Sequence, residues 1–279
     1  MQKRILTIQD ASCVGQCSLT VALPIISACG IETAVLPTAI LSTHTAGFVG
    51  FTVHSMTDEM KKIAAHWEKE KITFDCVYTG YVLKDQIDII KEIIEKFNKG
   101  YKVIDPVMAD NGSFYYGFDE KFAESMASLC EGADVILPNL TEAAFLLGRK
   151  PTLENYDEKF VEDTCENLAE KLNVKNVVLT GVSFDKDKLG VAVYDAGTKT
   201  VRYYFSERIR RNFHGTGDIY SSAFTAGLVK GLSVYEAAAV AVDYTVEAAM
   251  RLTLPYEKEH GYGVFFESAL PMLVNKLNK

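Results

Sequence analysis

The densest chemical signal lies late in the chain, at His214-Gly215-Thr216-Gly217-Asp218. Two glycines around a threonine permit a tight turn with positive φ. The apolar residues that follow read as a helix, whose first N–H groups lack partners and point back at the turn, making an anion site. Asp218, at the helix start, can accept a proton from an attacking hydroxyl while the amides stabilise a transferring phosphoryl group. Taken alone, the stretch reads as well as a glycine turn with an Asp cap. His214 is a neighbour of this turn, because Asp218 matches the helix start better.

Three further positions follow apolar runs. Asp105, in Asp105-Pro106-Val107, stands where a carboxylate can hold Mg2+ directly or through water, or simply bind loop backbone. Asn139 and Glu142 are three apart at a helix start, so both can face one site. An Asn N-cap with a Glu completing the capping box explains them equally well. Thr180, before Gly181, offers a hydroxyl to a phosphate or merely ends a strand.

The elements that must position these residues alternate along the chain. Short apolar runs at 5–9, 33–37, 76–79, 102–105, 135–137 and 177–180 predict strands. Between them, Ile87, Ile90, Ile93, Ile94 and Phe97 mark one helical face, and Phe160, Cys165, Leu168 and Leu172 another. This alternation implies a mostly parallel sheet covered by helices on both faces, a three-layer α/β/α fold in one domain. Strands at 190–194 and 201–205 form a hairpin around Asp195-Ala196-Gly197. Helices then run over 218–230 and from Ser233, in a capping box with Glu236, through Arg251. Ligands of such sheets sit beyond the C-terminal strand ends. Asp10, Gly80, Tyr81, Asp105, Asn139, Glu142 and Thr180 are expected there.

The chain has 279 residues, 48% of them hydrophobic, and a net charge of -8 without a basic stripe. A nucleic-acid surface is therefore not expected. No run approaches the roughly 20 apolar residues of a membrane span, and the first residues do not read as a signal peptide. A cytoplasmic protein is expected. Its six scattered cysteines, with no C-x-x-C pair, read as free, packed thiols. His54, His66 and His260 carry no signal, and Trp67 reads as packing.

The D-P-V, N-x-x-E and G-T-G-D stretches, with the strand-ending Thr180 between the last two, occur in the order of the ribokinase-like superfamily, which the chain resembles. Thr7–Gln9, Ser42-Thr43-His44-Thr45, Thr79-Gly80-Tyr81 and Glu207-Arg208-Ile209-Arg210 narrow the resemblance to its pyridoxal kinases. It spans Ile5 to about Arg251. The resemblance implies ATP-dependent phosphorylation of the 5′-hydroxymethyl group of pyridoxal, pyridoxine or pyridoxamine. It implies Asp218 as general base, with Gly215, Thr216 and Gly217 as anion hole. It places Asp105, Asn139, Glu142 and Thr180 on Mg·ATP, with Asp105 and Glu142 at the metal, and Tyr115 on the ATP side. Asp10, His44, Thr45 and Tyr81 line the vitamin pocket. It further implies a homodimer and a monovalent cation such as K+.

Two positions depart from that pattern. Asp10 stands where many pyridoxal kinases have a ring-contacting serine, and a carboxylate there favours a protonated ring nitrogen, an amine or a sugar hydroxyl. Leu137 replaces a common threonine, which implies weaker ATP binding. A hydroxymethylpyrimidine or sugar kinase of the same superfamily is the alternative, and a vitamin carrier without catalysis a third reading. Asp218, Asp105 and Glu142 weigh against the carrier.

Overall fold

The computed structural model describes residues 2–211, 213–256, 258 and 261–278. His260 lies outside the described residues. The strands, in chain order, are β1 (Arg4–Ser12), β2 (Glu32–Leu41), β3 (Val53–Ser55), β4 (Phe74–Thr79), β5 (Asn98–Ile104), β6 (Ala109–Asp110), β7 (Ser113–Phe114), β8 (Val135–Ile136), β9 (Asn176–Val182), β10 (Lys188–Asp195) and β11 (Thr200–Glu207). Nine of them form one sheet in the order β11-β10-β9-β8-β5-β4-β1-β2-β3, and β6 and β7 form a separate small hairpin. The six strands from β9 to β2 are mutually parallel, whereas β3, β10 and β11 add antiparallel edges.

The parallel strands are apolar on both faces, and their alternation divides the core in two. Leu6, Ile8, Val77, Ile104, Val177 and Leu179 pack against α2 (Thr57–Lys69), α3 (Ile87–Phe97), α4 (Glu120–Cys130), α5 (Leu140–Leu146) and α6 (Glu158–Leu172). Ile5, Cys76, Tyr78, Val103 and Val178 face α1 (Leu19–Ala28), α7 (Thr216–Val229), α8 (Val234–Val242) and the C-terminal helix Phe266–Leu277. Successive side chains on a strand point to opposite faces, so each strand feeds both layers. The three-layer α/β/α expectation is met. Trp67 packs edge-on against Phe74 and Phe97, as expected of a packing residue.

Some elements differ from the expectation. The predicted helix through Arg251 instead passes at Asp243 into a wider π-helical stretch, Asp243–Met250. There Asp243 accepts from Tyr204 Oη at 2.7 Å and pairs with Lys276, while the buried Tyr244 hydroxyl donates to the Phe266 carbonyl at 2.9 Å. Helix α1 was not predicted, because Pro24 stands inside it. Asp10 lies inside β1 and not beyond it. A register shift between Gln9 and Ala11 lets β1 continue beside β2 as far as Ser12, whereas its pairing with β4 ends at Ile8–Thr79. Thr180 likewise lies within β9. Among the described residues, no helix is long and apolar enough to cross a membrane.

Candidate functional site

The chain turns from one half of the sheet to the other between β1 and β4, and there the two strands part. Open α/β sheets bind ligands at such a crevice. Its floor is close-packed: a Cβ on Gly80 would lie 2.7 Å from Gln9 Oε1, so glycine is what lets the Gln9 side chain cross. Beyond the floor, Asp10 is 3% exposed and accepts from Ser12 Oγ at 2.9 Å. Burial raises the Asp10 pKa, against hydrogen bonds from Ser18 and Ser12 that lower it. Tyr81, packed on Phe118 with ring centroids 5.3 Å apart, is pushed up to about 12 by burial and by the Asp10 charge.

The glycine turn meets this crevice from the opposite layer. Gly215 caps α7 with φ 78, and a Cβ on it would lie 1.9 Å from the Gln16 carbonyl oxygen. Both facts demand glycine. A Cβ on Gly217 would enter open space, and no side chain caps the helix. The first amides of a 14-residue helix therefore face room for an anion. Thr216 Oγ donates to the Phe213 carbonyl at 3.3 Å. Asp218 lies in the first turn, and burial followed by the Asp10 charge pushes its pKa up to about 7, against the lowering effect of the Ser18 backbone.

On the other side, Asp105 follows β5 and is 6% exposed. It accepts from Ser221 Oγ at 2.6 Å, while burial and then the Asp218 charge push it up to about 7. Glu142 is buried and held well above its ordinary value by desolvation and by Asp105. Its Oε1 accepts from Met108 N at 3.0 Å and its Oε2 from Asn139 N at 2.9 Å. Asp10, Asp218, Asp105 and Glu142 are thus a chain of mutually repelling carboxylates, each raising the next. Such a chain keeps protons or takes a cation. Among the described residues no three His, Cys, Asp or Glu side chains converge as a metal cage. A pair, Asp105 and Glu142, suits Mg2+, which keeps several waters and needs few protein ligands.

The structure separates residues that the sequence grouped. The Asn139 side chain is spent locally: Oδ1 accepts from the Thr141 and Glu142 amides at 2.8 and 2.9 Å, and Nδ2 donates to the Ala109 carbonyl at 2.8 Å. It caps α5 and ties that helix to the loop carrying Glu142's partners. Thr180 Oγ lies 3.4 Å from the Pro138 carbonyl, beside the Asn139–Thr180 bridge. Tyr115 is 39% exposed, and its hydroxyl is raised by burial and by Glu142, Asp110 and Asp218. Leu137 is core, buried against the α1/α7/α8 layer.

His44 is buried with both ring nitrogens engaged. Nδ1 accepts from Ala46 N at 3.2 Å, so Nε2 carries the proton donated to the Tyr262 carbonyl at 2.8 Å. It presents a ring face and not a free nitrogen, with Phe48 at 4.9 Å and His214 at 5.7 Å. Burial and then His44 hold the His214 pKa down. Thr45 is half-buried in the same loop. Sequence reasoning missed Ser18, Ser221 and Tyr262. Ser221, one turn into α7 from Asp218, lay on a visible helical spacing; Tyr262 had no local signal.

Residues 22–263 match the phosphomethylpyrimidine kinase family. The chain belongs to that family. This kinase is similar to a Bacteroides thetaiotaomicron protein named as a candidate phosphomethylpyrimidine kinase and crystallised with pyridoxal, with 33% identity, a TM-score of 0.90, and coverage of 100% of this chain and 96% of that one. It is similar to the pyridoxal kinase of Lactobacillus plantarum, with 29% identity, a TM-score of 0.89, and coverage of 99% and 98%. It is also 27% identical, over 80% of both chains, to the hydroxymethylpyrimidine/phosphomethylpyrimidine kinase of Bacillus subtilis. It is thus a kinase of the pyridoxal/hydroxymethylpyrimidine kinase family.

Proposed function

We propose that this kinase transfers the γ-phosphoryl group of ATP to the 5′-hydroxymethyl group of pyridoxal, pyridoxine or pyridoxamine. The observation that carries the choice of acceptor is the similarity, over the full chain, to the Bacteroides protein crystallised with pyridoxal. The acceptor lies in the crevice between β1 and β4, against Asp10, Tyr81 and the ring face of His44. Asp10, a buried carboxylate, pairs with a protonated ring nitrogen or with the amine of pyridoxamine. Thr45 borders the same end.

Asp218 takes the proton of the acceptor hydroxyl. A carboxylate pushed up to about 7 is matched to that task, since the best general base has a pKa near the working pH. The amides of residues 216–218, freed by the Gly215 turn, stabilise the charge on the transferring group. Gly217 leaves that space open. Asp105 and Glu142 are the residues that would hold Mg2+, and a bound ion would supply neutralisation of phosphate charge. Thr180 and Tyr115 border the nucleotide, and Asn139 contributes by fixing Glu142. Leu137 offers no hydroxyl, so nucleotide binding rests more on backbone amides.

Hydroxymethylpyrimidine is the second reading, favoured by the Bacillus subtilis relative. A panel of the three vitamers and hydroxymethylpyrimidine with Mg·ATP, read by ADP release, decides between them. A kcat/KM for hydroxymethylpyrimidine above that of every vitamer overturns the proposal. Asp10→Ser should change the ratios among the vitamers, lowering pyridoxamine most; unchanged ratios remove Asp10 from acceptor selection.

A further inference from the structure

Gln16 lies in the loop that joins β1 to α1 and meets two distant parts of the chain. Its backbone carbonyl sits against the glycine turn, where a Cβ on Gly215 would lie 1.9 Å from the Gln16 oxygen. Its side-chain amide donates to both carboxylate oxygens of Glu267, at 3.0 and 2.9 Å, in the first turn of the helix Phe266–Leu277. Its Oε1 packs on the buried Gly263, where a Cβ would lie 2.3 Å from that oxygen and 2.7 Å from the Gln16 Cβ. One residue therefore joins the segment 263–267, by its side chain, to the turn that opens α7, by its backbone.

The loop has little freedom to yield. Thr20 Oγ lies 2.7 Å from the Cys17 carbonyl and 3.1 Å from that of Gly15, so it pins the carbonyls on either side of Gln16. Gly15 takes φ 104, and a Cβ on it would lie 2.1 Å from His44 Cδ2. Ser18 then starts α1 at φ 53 and ψ -129, a costly conformation for a non-glycine residue. Its carbonyl accepts from Val21 N at 3.0 Å and Ala22 N at 2.8 Å. The residue before Gly263 closes the same assembly, since the Tyr262 carbonyl accepts from His44 Nε2 at 2.8 Å. Residues 262–267 thus grip the loop twice, once through His44 and once through Gln16.

We propose that residues 262–267 are a strap that sets the place of the glycine turn by way of Gln16, which makes Gln16 and Glu267 positioning residues for phosphoryl transfer. The inference rests on the reading of that turn as the anion site given under Proposed function. The carbonyl wedged on Gly215 fixes where the amides of residues 216–218 stand. Donors displaced by about 1 Å lose much of their hold on a transferring group. The strap therefore acts on the transition state and not on substrate binding.

The test is a set of variants of the full chain: Gln16→Ala, Glu267→Ala, Glu267→Gln and the double Gln16→Ala/Glu267→Ala. Their kcat and KM are read by ADP release with pyridoxal and Mg·ATP. Each alanine variant should lower kcat about tenfold or more, while KM for both substrates stays within about threefold of wild type. The double variant should fall no further than the worse single one. Glu267→Gln, which keeps one acceptor oxygen, should recover most of the rate. All four should melt within a few degrees of wild type, because the bond to Glu267 lies at the surface. Gly263→Ala should lower kcat as well. It should do nothing more in a Gln16→Gly background, where the three Gln16 atoms that its Cβ would meet are absent. Unchanged kcat in Gln16→Ala, a loss carried by KM alone, or independent losses in the double variant overturns the proposal. If Gly217→Ala turns over at the wild-type rate, the reading of the turn as the anion site is what fails.

Discussion

Replacing Asp218 by Asn should cripple turnover and make the ligand-free protein harder to melt at alkaline pH. Folding raises the Asp218 pKa from 3.8 to about 7. A carboxyl raised in the folded state costs nothing below its unfolded pKa, where both states hold the proton. The cost then grows as pH rises toward the folded value and is complete above it. At about 1.36 kcal/mol per pH unit, the full cost is about 4 kcal/mol, and partial exposure lowers it to about 2–4 kcal/mol. Asparagine keeps the shape but carries no charge. For a chain of this size that corresponds to roughly 5–10 °C in Tm. The gap between variant and wild type should be small at pH 4 and complete by pH 8. Differential scanning calorimetry across this range reads it, and the difference between the two proteins cancels groups they share. Turnover should fall about 10²- to 10⁴-fold, the usual worth of a general base. Melting curves that stay parallel from pH 4 to pH 8 would refute the burial argument, and near-normal kcat would refute the assignment of the base.

The same placement makes kcat/KM for the acceptor rise through a midpoint near pH 7, and a flat profile between pH 5.5 and 8.5 would exclude Asp218 as the titrating base. Gly215→Ala should destabilise the protein by about 3 kcal/mol or more, because its Cβ meets a backbone carbonyl in a conformation alanine avoids. Gly217→Ala, by contrast, should melt within a few degrees of wild type while losing activity, since its Cβ fills the space left for the anion; the pair is compared by thermal melts and ADP release. Asp105→Asn should raise the Mg2+ concentration for half-maximal rate about tenfold or more, and an unchanged Mg2+ titration would remove Asp105 from metal handling.

What could be read in advance follows from how local each signal was. The apolar alternation at 5–9, 76–79 and 177–180 is a period-two pattern over a few residues, and it appears as β1, β4 and β9. The capping box of Ser233 and Glu236 is equally local, and Ser233 Oγ does accept from Glu236 N. The glycine turn at 215 and the helix after it declared themselves by composition. The register shift at Gln9 and Ala11 did not, because a bulge depends on the neighbouring strand, and so Asp10 was placed beyond β1 instead of inside it. Asn139 remained open between capping and nucleotide contact until the Ala109 carbonyl, 30 residues away, was seen to take its amide. The strained geometry of Ser18 and the partnership of Gln16 with Glu267, 251 residues apart, leave no mark in any short window.

The bond between His44 and the Tyr262 carbonyl spans 218 residues. Its consequence concerns the order of assembly during synthesis. The elements carrying Asp105, Glu142 and Thr180 come from one contiguous stretch, and they can associate while the ribosome is still extending the chain. The acceptor wall needs residues near both ends, so it closes only after residue 262 has emerged. Loop closure over such separations is the slow part of folding. A nascent chain can therefore assemble the strand ends that carry Asp105, Glu142 and Thr180 before the wall around His44 closes.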